Sequence, residues 1–355
     1  MTLRQAQGDR EVLVAREGAI GRFSLNRPQA IHALTLGMVR ALTEALIDWR
    51  DDAGVQAVVI DHAEGRGFCA GGDIGLLRQS ALEDGGAAGR RFFFEEYRLN
   101  HLIFTYPKLV VTFMDGITMG GGVGISLPAR FRVATENTRF AMPETGIGLF
   151  PDVGGGWYLS RLPGRLGQFL ALTGARLDGA ECVWAGLATH YLAHERLEEA
   201  KSRIAEHPDR VAGILADLAT DPPPARIEGN ALKIAKLFAS DVYEDILDAL
   251  EDDGSEWSQK ELATLSTKSP QACKVALRVL AEGLALADFA NEMRIEYRIA
   301  AHVLTLPDFA EGVRAVIVDK TGDPRWNPAR PEDVGEDLLD AIFAPLPHED
   351  EWSPL

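Results

Sequence analysis

"MDGITMGGGVGIS" (Met114–Ser126) is the stretch on which the fold turns. The run leading into it, "KLVVTFMDG" (108–116), is apolar and rich in β-branched residues, and it reads as a buried strand. Glycines 120–122 then open a helix that the pattern carries through "GGGVGISLPA" (120–129). A strand running into a glycine-opened helix is a joint of α/β architecture. The free amides at such a start can meet an anion or a developing oxyanion, although close helix–strand packing accounts for the same glycines. "GGGVG" matches a dinucleotide fingerprint weakly, because it lies mid-chain and Glu136, the nearest later acid, is a poor ribose binder. No Gly-Lys-Ser/Thr follows, so it is not a P-loop.

Outward from this joint, strands and helices alternate. "EVLVARE" (11–17) and "AIGRFSLN" (19–26) read as two short strands, and "VQAVVIDHA" (55–63) and "RFRVATE" (130–136) as two more. "TLGMVRALTEALIDWRDD" (35–52) places Met38, Leu42, Leu46 and Trp49 on one helical stripe. "SALEDGGAAG" (80–89) reads as a mobile link before a helix over 90–106. Beyond about residue 160 strand signals nearly vanish and helices dominate, broken at "DPPPARIEG" (221–229) and "EDDGSEW" (251–257). The acidic, proline-rich tail wraps the surface or frays. The fold class expected is α/β.

Composition narrows the function. The chain has 355 residues and a net charge of −17, a poor footprint for nucleic acid. Cys69, Cys182 and Cys273 lie far apart and are odd in number, which fits a reducing cytoplasm better than a disulfide framework or a zinc site. "MTLRQAQGDR" (1–10) lacks an apolar core and is not expected to act as a secretory signal, and no run is long enough to span a membrane. His190 and His194 have no further ligand at metal spacing, and His62 and Cys69 read as structural.

Two further segments can carry chemistry. "GRGFCAGGDIG" (65–75) puts Gly71-Gly72 before Asp73, either to expose amides or merely to turn from strand to helix. "AMPETGIGLFPDVGGGW" (141–157) holds Glu144 and Asp152 among apolar residues, and Gly146, Gly148 and Pro151 exclude one continuous helix between them. A loop can turn both acids into one cavity, where apolar surroundings raise a carboxyl pKa and suit it to acid/base or nucleophilic work. Two surface acids are the alternative. In "RRFFFEEYRLNHLIF" (90–104), Glu96 shares a stripe with Phe92, Leu99 and Ile103, so it is either paired structurally or lines a site, whereas Glu95 points elsewhere.

These segments, in this order, resemble the crotonase (enoyl-CoA hydratase/isomerase) superfamily. "SLNRPQAIHAL" (24–34) is similar to its first signature, with His32 where Asn is usual. The stretch 140–174, with "FFFEEYRLN", "SPQACKVALRVL", "EYRIAAHVL" and "DFAEGVRAVIVDKTGDPRWNP", resembles the 3-hydroxyisobutyryl-CoA hydrolase branch over residues 11–328. The resemblance implies a crotonase-like fold of stacked β-β-α units over 11–205 and a helical region over 206–345 that covers the active site. It implies an acyl-CoA substrate, no separate cofactor or metal, and possible homo-oligomers. It makes Gly72 and Gly121 the oxyanion-hole donors, with Glu144 and Asp152 catalytic. It puts Glu96 in the substrate pocket and Ala70, Gly72, Asp73 and Lys320 along the CoA path. A hydratase of the superfamily has a second glutamate at position 124, which is glycine here, and glycine where this chain has Asp152. Hydrolysis of a 3-hydroxyacyl thioester, as in valine breakdown, is the activity implied. A hydratase/isomerase and a non-catalytic CoA-binding protein are the rivals.

Overall fold

The computed structural model describes residues 11–355; the stretch 1–10, weighed above as a secretory signal, lies outside them. Among the described residues, ten strands form two sheets. The larger has the order β1 (Val12–Glu17), β2 (Ile20–Leu25), β3 (Ala57–His62), β5 (Leu109–Met114), β7 (Phe131–Ala134), β10 (His190–Tyr191). The β1–β2 hairpin is antiparallel and every later pairing is parallel. The smaller sheet has the order β4 (Gly67–Cys69), β6 (Ile117–Met119), β8 (Arg139–Ala141), β9 (Leu177–Asp178). Each consecutive pair, β3/β4, β5/β6 and β7/β8, gives one strand to each sheet. This repetition agrees with the stacked β-β-α units that the family resemblance implies.

Parallel strands buried on both faces need apolar residues at every position, which is why β3 reads "AVVI" rather than alternating. Val58 and Ile60 join the main core, and Ala57 and Val59 point the other way, into a second core. Leu197, Ile204, Val211 and Ile214, from helices Leu197–Glu206 and Val211–Leu218, close that second face. The first long helix, α1 (Leu36–Arg50), buries Met38, Leu42, Leu46 and Trp49 as its stripe predicts, and Thr35 caps it by accepting from Met38 N.

Two expectations change and one is narrowed. α2 (Ile74–Glu83) extends into the segment expected to be mobile. There Asp84 accepts the amides of Ala87 and Ala88, and the Ser80 hydroxyl accepts that of Gly89, so residues 80–89 form the cap of α3 (Ala87–Phe104). The glycine-opened helix, α4 (Gly121–Gly124), is only one turn long and continues as turns to Ala129. Its glycines are entropically poor helix formers, and Pro128 cannot extend it. The tail docks rather than frays: Trp352 is buried and donates its indole N–H to Phe94 O at 3.2 Å.

A buried charge network ties the second core to the sheet. Asp61 on β3 accepts from Lys201 at 2.9 Å, Arg22 at 2.6 Å and the Ser24 hydroxyl at 2.6 Å. Burial alone would raise its carboxyl; Lys201, Arg22 and Ser24 outweigh that and hold it below the usual range. Stability from this group is therefore present above the ordinary carboxyl range and lost as pH falls through the depressed value. Lys201→Met should cost about 3 kcal/mol in urea unfolding at pH 7, and the deficit should shrink on acidification.

Candidate active site

The two glycine joints that follow β4 and β6 of the smaller sheet meet the C-terminal helical region around a cavity of about 430 Å³. The loop after β4 supplies Ala70 and Gly72, and the β6–α4 joint supplies Gly121. Gly71, at φ +117°, turns the chain so that Gly72 faces that joint. A Cβ built on Gly121 would lie 3.2 Å from Gly72 N and 2.4 Å from Glu96 Oε1, so only glycine fits there. Among the described residues, neither Gly72 N–H nor Gly121 N–H donates to another group of the protein. Both are open to a ligand oxygen.

Three carboxyls face these amides. Glu96 comes from α3 and is 2% exposed; among the described residues its Oε1 has no hydrogen-bond partner. Burial, then the Asp152 charge, pushes its carboxyl well above the usual range. Glu144 opens the 3-10 turn Glu144–Ile147 and is also buried, with Oε2 unpartnered among the described residues. Burial raises it strongly, Asp152 adds to that, and Lys268 opposes it. Asp152 accepts a 2.6 Å hydrogen bond from the Tyr97 hydroxyl. Burial raises the Asp152 carboxyl to about 6, with the Tyr97 bond working in the opposite direction. Desolvation thus dominates at all three, as expected of acids set among apolar neighbours such as Leu149 and Phe150.

The turn behind Asp152 is strained. Val153 has φ +53° and Gly154 φ +91°. A β-branched residue in the left-handed region costs about 1–3 kcal/mol. Val153 in this pose fills the space before Gly124: a Cβ at 124 would lie 2.6 Å from Val153 Cβ and 2.9 Å from Asn100 Nδ2. Any larger side chain at 124, a glutamate included, would have to displace them.

Not every residue singled out from sequence reaches the cavity. Asp73 lies beside it, but its carboxylate is engaged, accepting from Arg27 at 2.7 Å and capping α2 through Leu76 N. Lys320 is exposed and does not line the cavity, although Ile317 and Gly322 on either side of it do. Glu95 turns away to Arg40 and Arg91. His32 is buried, accepting from Arg27 N and bonding Glu64 O. Burial pushes the Cys69 thiol up to about 12. Among the described residues, no cluster of His, Cys, Asp and Glu is arranged to hold a metal. No helix among them is long and apolar enough to cross a membrane.

Sequence reading missed two lining or supporting groups. Tyr97 follows Glu96 on α3, one position off the stripe, and only the fold brings its hydroxyl to Asp152. Lys268 enters from the turn before helix Pro270–Ala285, and no local pattern links it to a loop more than a hundred residues earlier.

Residues 20–343 match the family model described as enoyl-CoA hydratase/isomerase. The chain is 43% identical to the mitochondrial 3-hydroxyisobutyryl-CoA hydrolase of Xenopus tropicalis, covering 96% of this chain and 91% of that one. It is 40% identical to the Homo sapiens protein of the same name, over 95% and 89%. Among solved structures, a carnitinyl-CoA dehydratase from Mycobacterium thermoresistibile superposes with a TM-score of 0.92 at 40% identity, covering 97% and 98% of the two chains. An enoyl-CoA hydratase from Rhodobacter sphaeroides 2.4.1 gives 0.90 at 36%, over 97% and 100%. The chain therefore belongs to the crotonase, or enoyl-CoA hydratase/isomerase, family, and is a CoA-ester enzyme of that family.

Proposed function

We propose that the protein hydrolyses the thioester of 3-hydroxyisobutyryl-CoA, or of a related 3-hydroxyacyl-CoA, to the free hydroxy acid and CoA. One observation carries this reading: Glu144 and a tyrosine-bound Asp152 share a cavity with two open amides, while Val153 and Asn100 fill the place of a second glutamate at 124. The names of the similar relatives support it.

In this mechanism the thioester oxygen sits between the amides of Gly72 and Gly121, each worth about 3 kcal/mol toward the tetrahedral oxyanion. Glu144 acts in its ionised form. It either attacks the carbonyl carbon, expelling CoA thiolate and leaving an anhydride that water cleaves, or takes a proton from the attacking water. Asp152 accepts the substrate's 3-hydroxyl, and Glu96 orients substrate or water. Ala70, Gly72 and the backbone at Asp73 flank the CoA path, with Lys320 as a phosphate contact near its mouth. We place the enzyme in the cytoplasm.

The test is thiol release from 3-hydroxyacyl-CoAs and simple acyl-CoAs. The names of the two similar solved structures favour a second reading, hydration or dehydration across a double bond. Rapid hydration of crotonyl-CoA without thiol release from any hydroxyacyl-CoA would select that reading. Inertness toward every acyl-CoA would leave a binding protein. The raised Glu144 carboxyl makes a further demand. Its reactive form is the anion, so kcat/KM should rise with pH through its shifted value. Lys268→Met removes the opposing cation and should move that rise to higher pH, whereas Lys268→Arg should leave it near its original position.

A further inference from the structure

Helix Phe289–Val303 carries two buried carboxyls that the mechanism above does not use, Glu292 and Glu296. Glu296 is fully buried, and both of its oxygens are engaged. Oε2 accepts the amide of Gly154 at 2.7 Å, and Oε1 accepts that of Gly156 at 3.1 Å. These amides belong to the turn that leaves Asp152, the same turn in which Val153 and Gly154 take positive φ. The next residue on the helix, Tyr297, packs edge-on against Tyr97 with centroids 6.4 Å apart, and Tyr97 holds the Asp152 carboxylate. Two adjacent residues of one helix thus reach Asp152 from both sides, one through its backbone and one through its hydrogen-bond donor.

The surroundings keep Glu296 in this role. Glu292, one turn earlier, occupies a niche that glycines leave open. A Cβ at Gly156 would lie 2.1 Å from its Oε1, and a Cβ at Gly283 would lie 2.8 Å from its Oε2. Burial pushes both acids upward, Glu292 to about 7. Both Glu296 oxygens accept backbone amides, whereas among the described residues neither Glu292 oxygen has a hydrogen-bond partner.

We propose that Glu296 is a positioning residue for Asp152: its carboxylate clamps the strained turn behind Asp152 and so sets where that side chain meets the substrate's 3-hydroxyl. A strained, β-branched turn persists only where its surroundings over-determine it. Here the determinant comes from the C-terminal helical region, so that region helps set substrate choice without touching the acyl group. The proposal rests on the reading of Asp152 as the hydroxyl acceptor.

The experiment compares kcat/KM for 3-hydroxyisobutyryl-CoA with that for isobutyryl-CoA, which lacks only the hydroxyl. It uses wild type, Glu296→Gln, Glu292→Gln and Asp152→Asn, each checked for native near-UV circular dichroism. Glutamine keeps the shape of Glu296 but presents one acceptor oxygen to two amides. The preference for the hydroxylated substrate should fall about tenfold in Glu296→Gln, approach its Asp152→Asn value, and hold in Glu292→Gln. If Glu296→Gln does not accumulate folded, Glu296→Asp, one methylene shorter, is read the same way. Loss of activity on both substrates in equal proportion, with the preference unchanged, would overturn the proposal and leave Glu296 a purely structural acid. A preference that survives Asp152→Asn would overturn the reading of Asp152 and this inference with it.

Discussion

Glu144→Gln is expected to lower kcat for thiol release by about 10³-fold with little change in substrate binding, the scale on which removing a general base or nucleophile acts. The amide matches the carboxyl in shape, so the cavity and the two glycine amides stay in place. What disappears is the anion that attacks the carbonyl or takes the proton of water. Single-turnover thiol release, beside an equilibrium measurement of acyl-CoA binding, separates the two. Undiminished release would remove Glu144 from the chemistry. The same variant carries a stability prediction of opposite sign. Because burial and Asp152 raise the native Glu144 carboxyl, the native state holds this proton over a pH range in which the unfolded chain has lost it. Stability therefore falls as pH rises from the ordinary carboxyl range toward the raised value. Glu144→Gln should melt above wild type at pH 8, with the gap closing as pH falls toward 4, a trade of stability for reactivity.

Asp152→Asn has the second largest effect expected. Turnover of 3-hydroxyacyl-CoAs should fall by about 10²-fold, and simple acyl-CoAs should lose less. Asparagine can still accept from Tyr97, but it cannot be an anion and turns a donor toward the substrate's hydroxyl or the tyrosine. The pH profile gives an independent measure. With the Asp152 carboxyl near 6, wild-type activity that needs its ionised form should decline as pH drops through that value. The variant should lose that limb. It should also bring the Glu144 limb to lower pH, since the Asp152 charge helps to raise Glu144. An unchanged profile in both limbs would sever the two acids.

Several elements of this site are legible in the sequence because local rules govern them. Glu96 lies on the apolar stripe of α3 with Phe92, Leu99 and Ile103, and helical periodicity alone turns it toward the interior. Glu144 and Asp152 stand among apolar residues in a loop broken by glycine and proline, and both are buried. The joint at 114–126 displays its strand-to-glycine order, although its helix is a single turn. Tyr97, Lys268 and Glu296 are not legible as partners of these acids. Each meets its target through contacts between distant segments, which neither periodicity nor capping chemistry encodes. The strain at Val153 is equally hidden, since nothing in "FPDVGGGW" says that the valine, rather than a neighbouring glycine alone, takes positive φ.

Sequence by itself determined the α/β class, the family resemblance, the glycine joints and the candidate acids, because hydrophobic period, turn chemistry and motif order are properties of short segments. Tertiary structure alone decided which groups meet: Tyr97 on Asp152, Lys268 beside Glu144, Glu296 behind the turn, and Val153 with Asn100 before Gly124. Those pairings rest on packing and desolvation between segments that lie far apart in the chain, and it is desolvation in the assembled cavity that raises the carboxyls on which the chemistry depends.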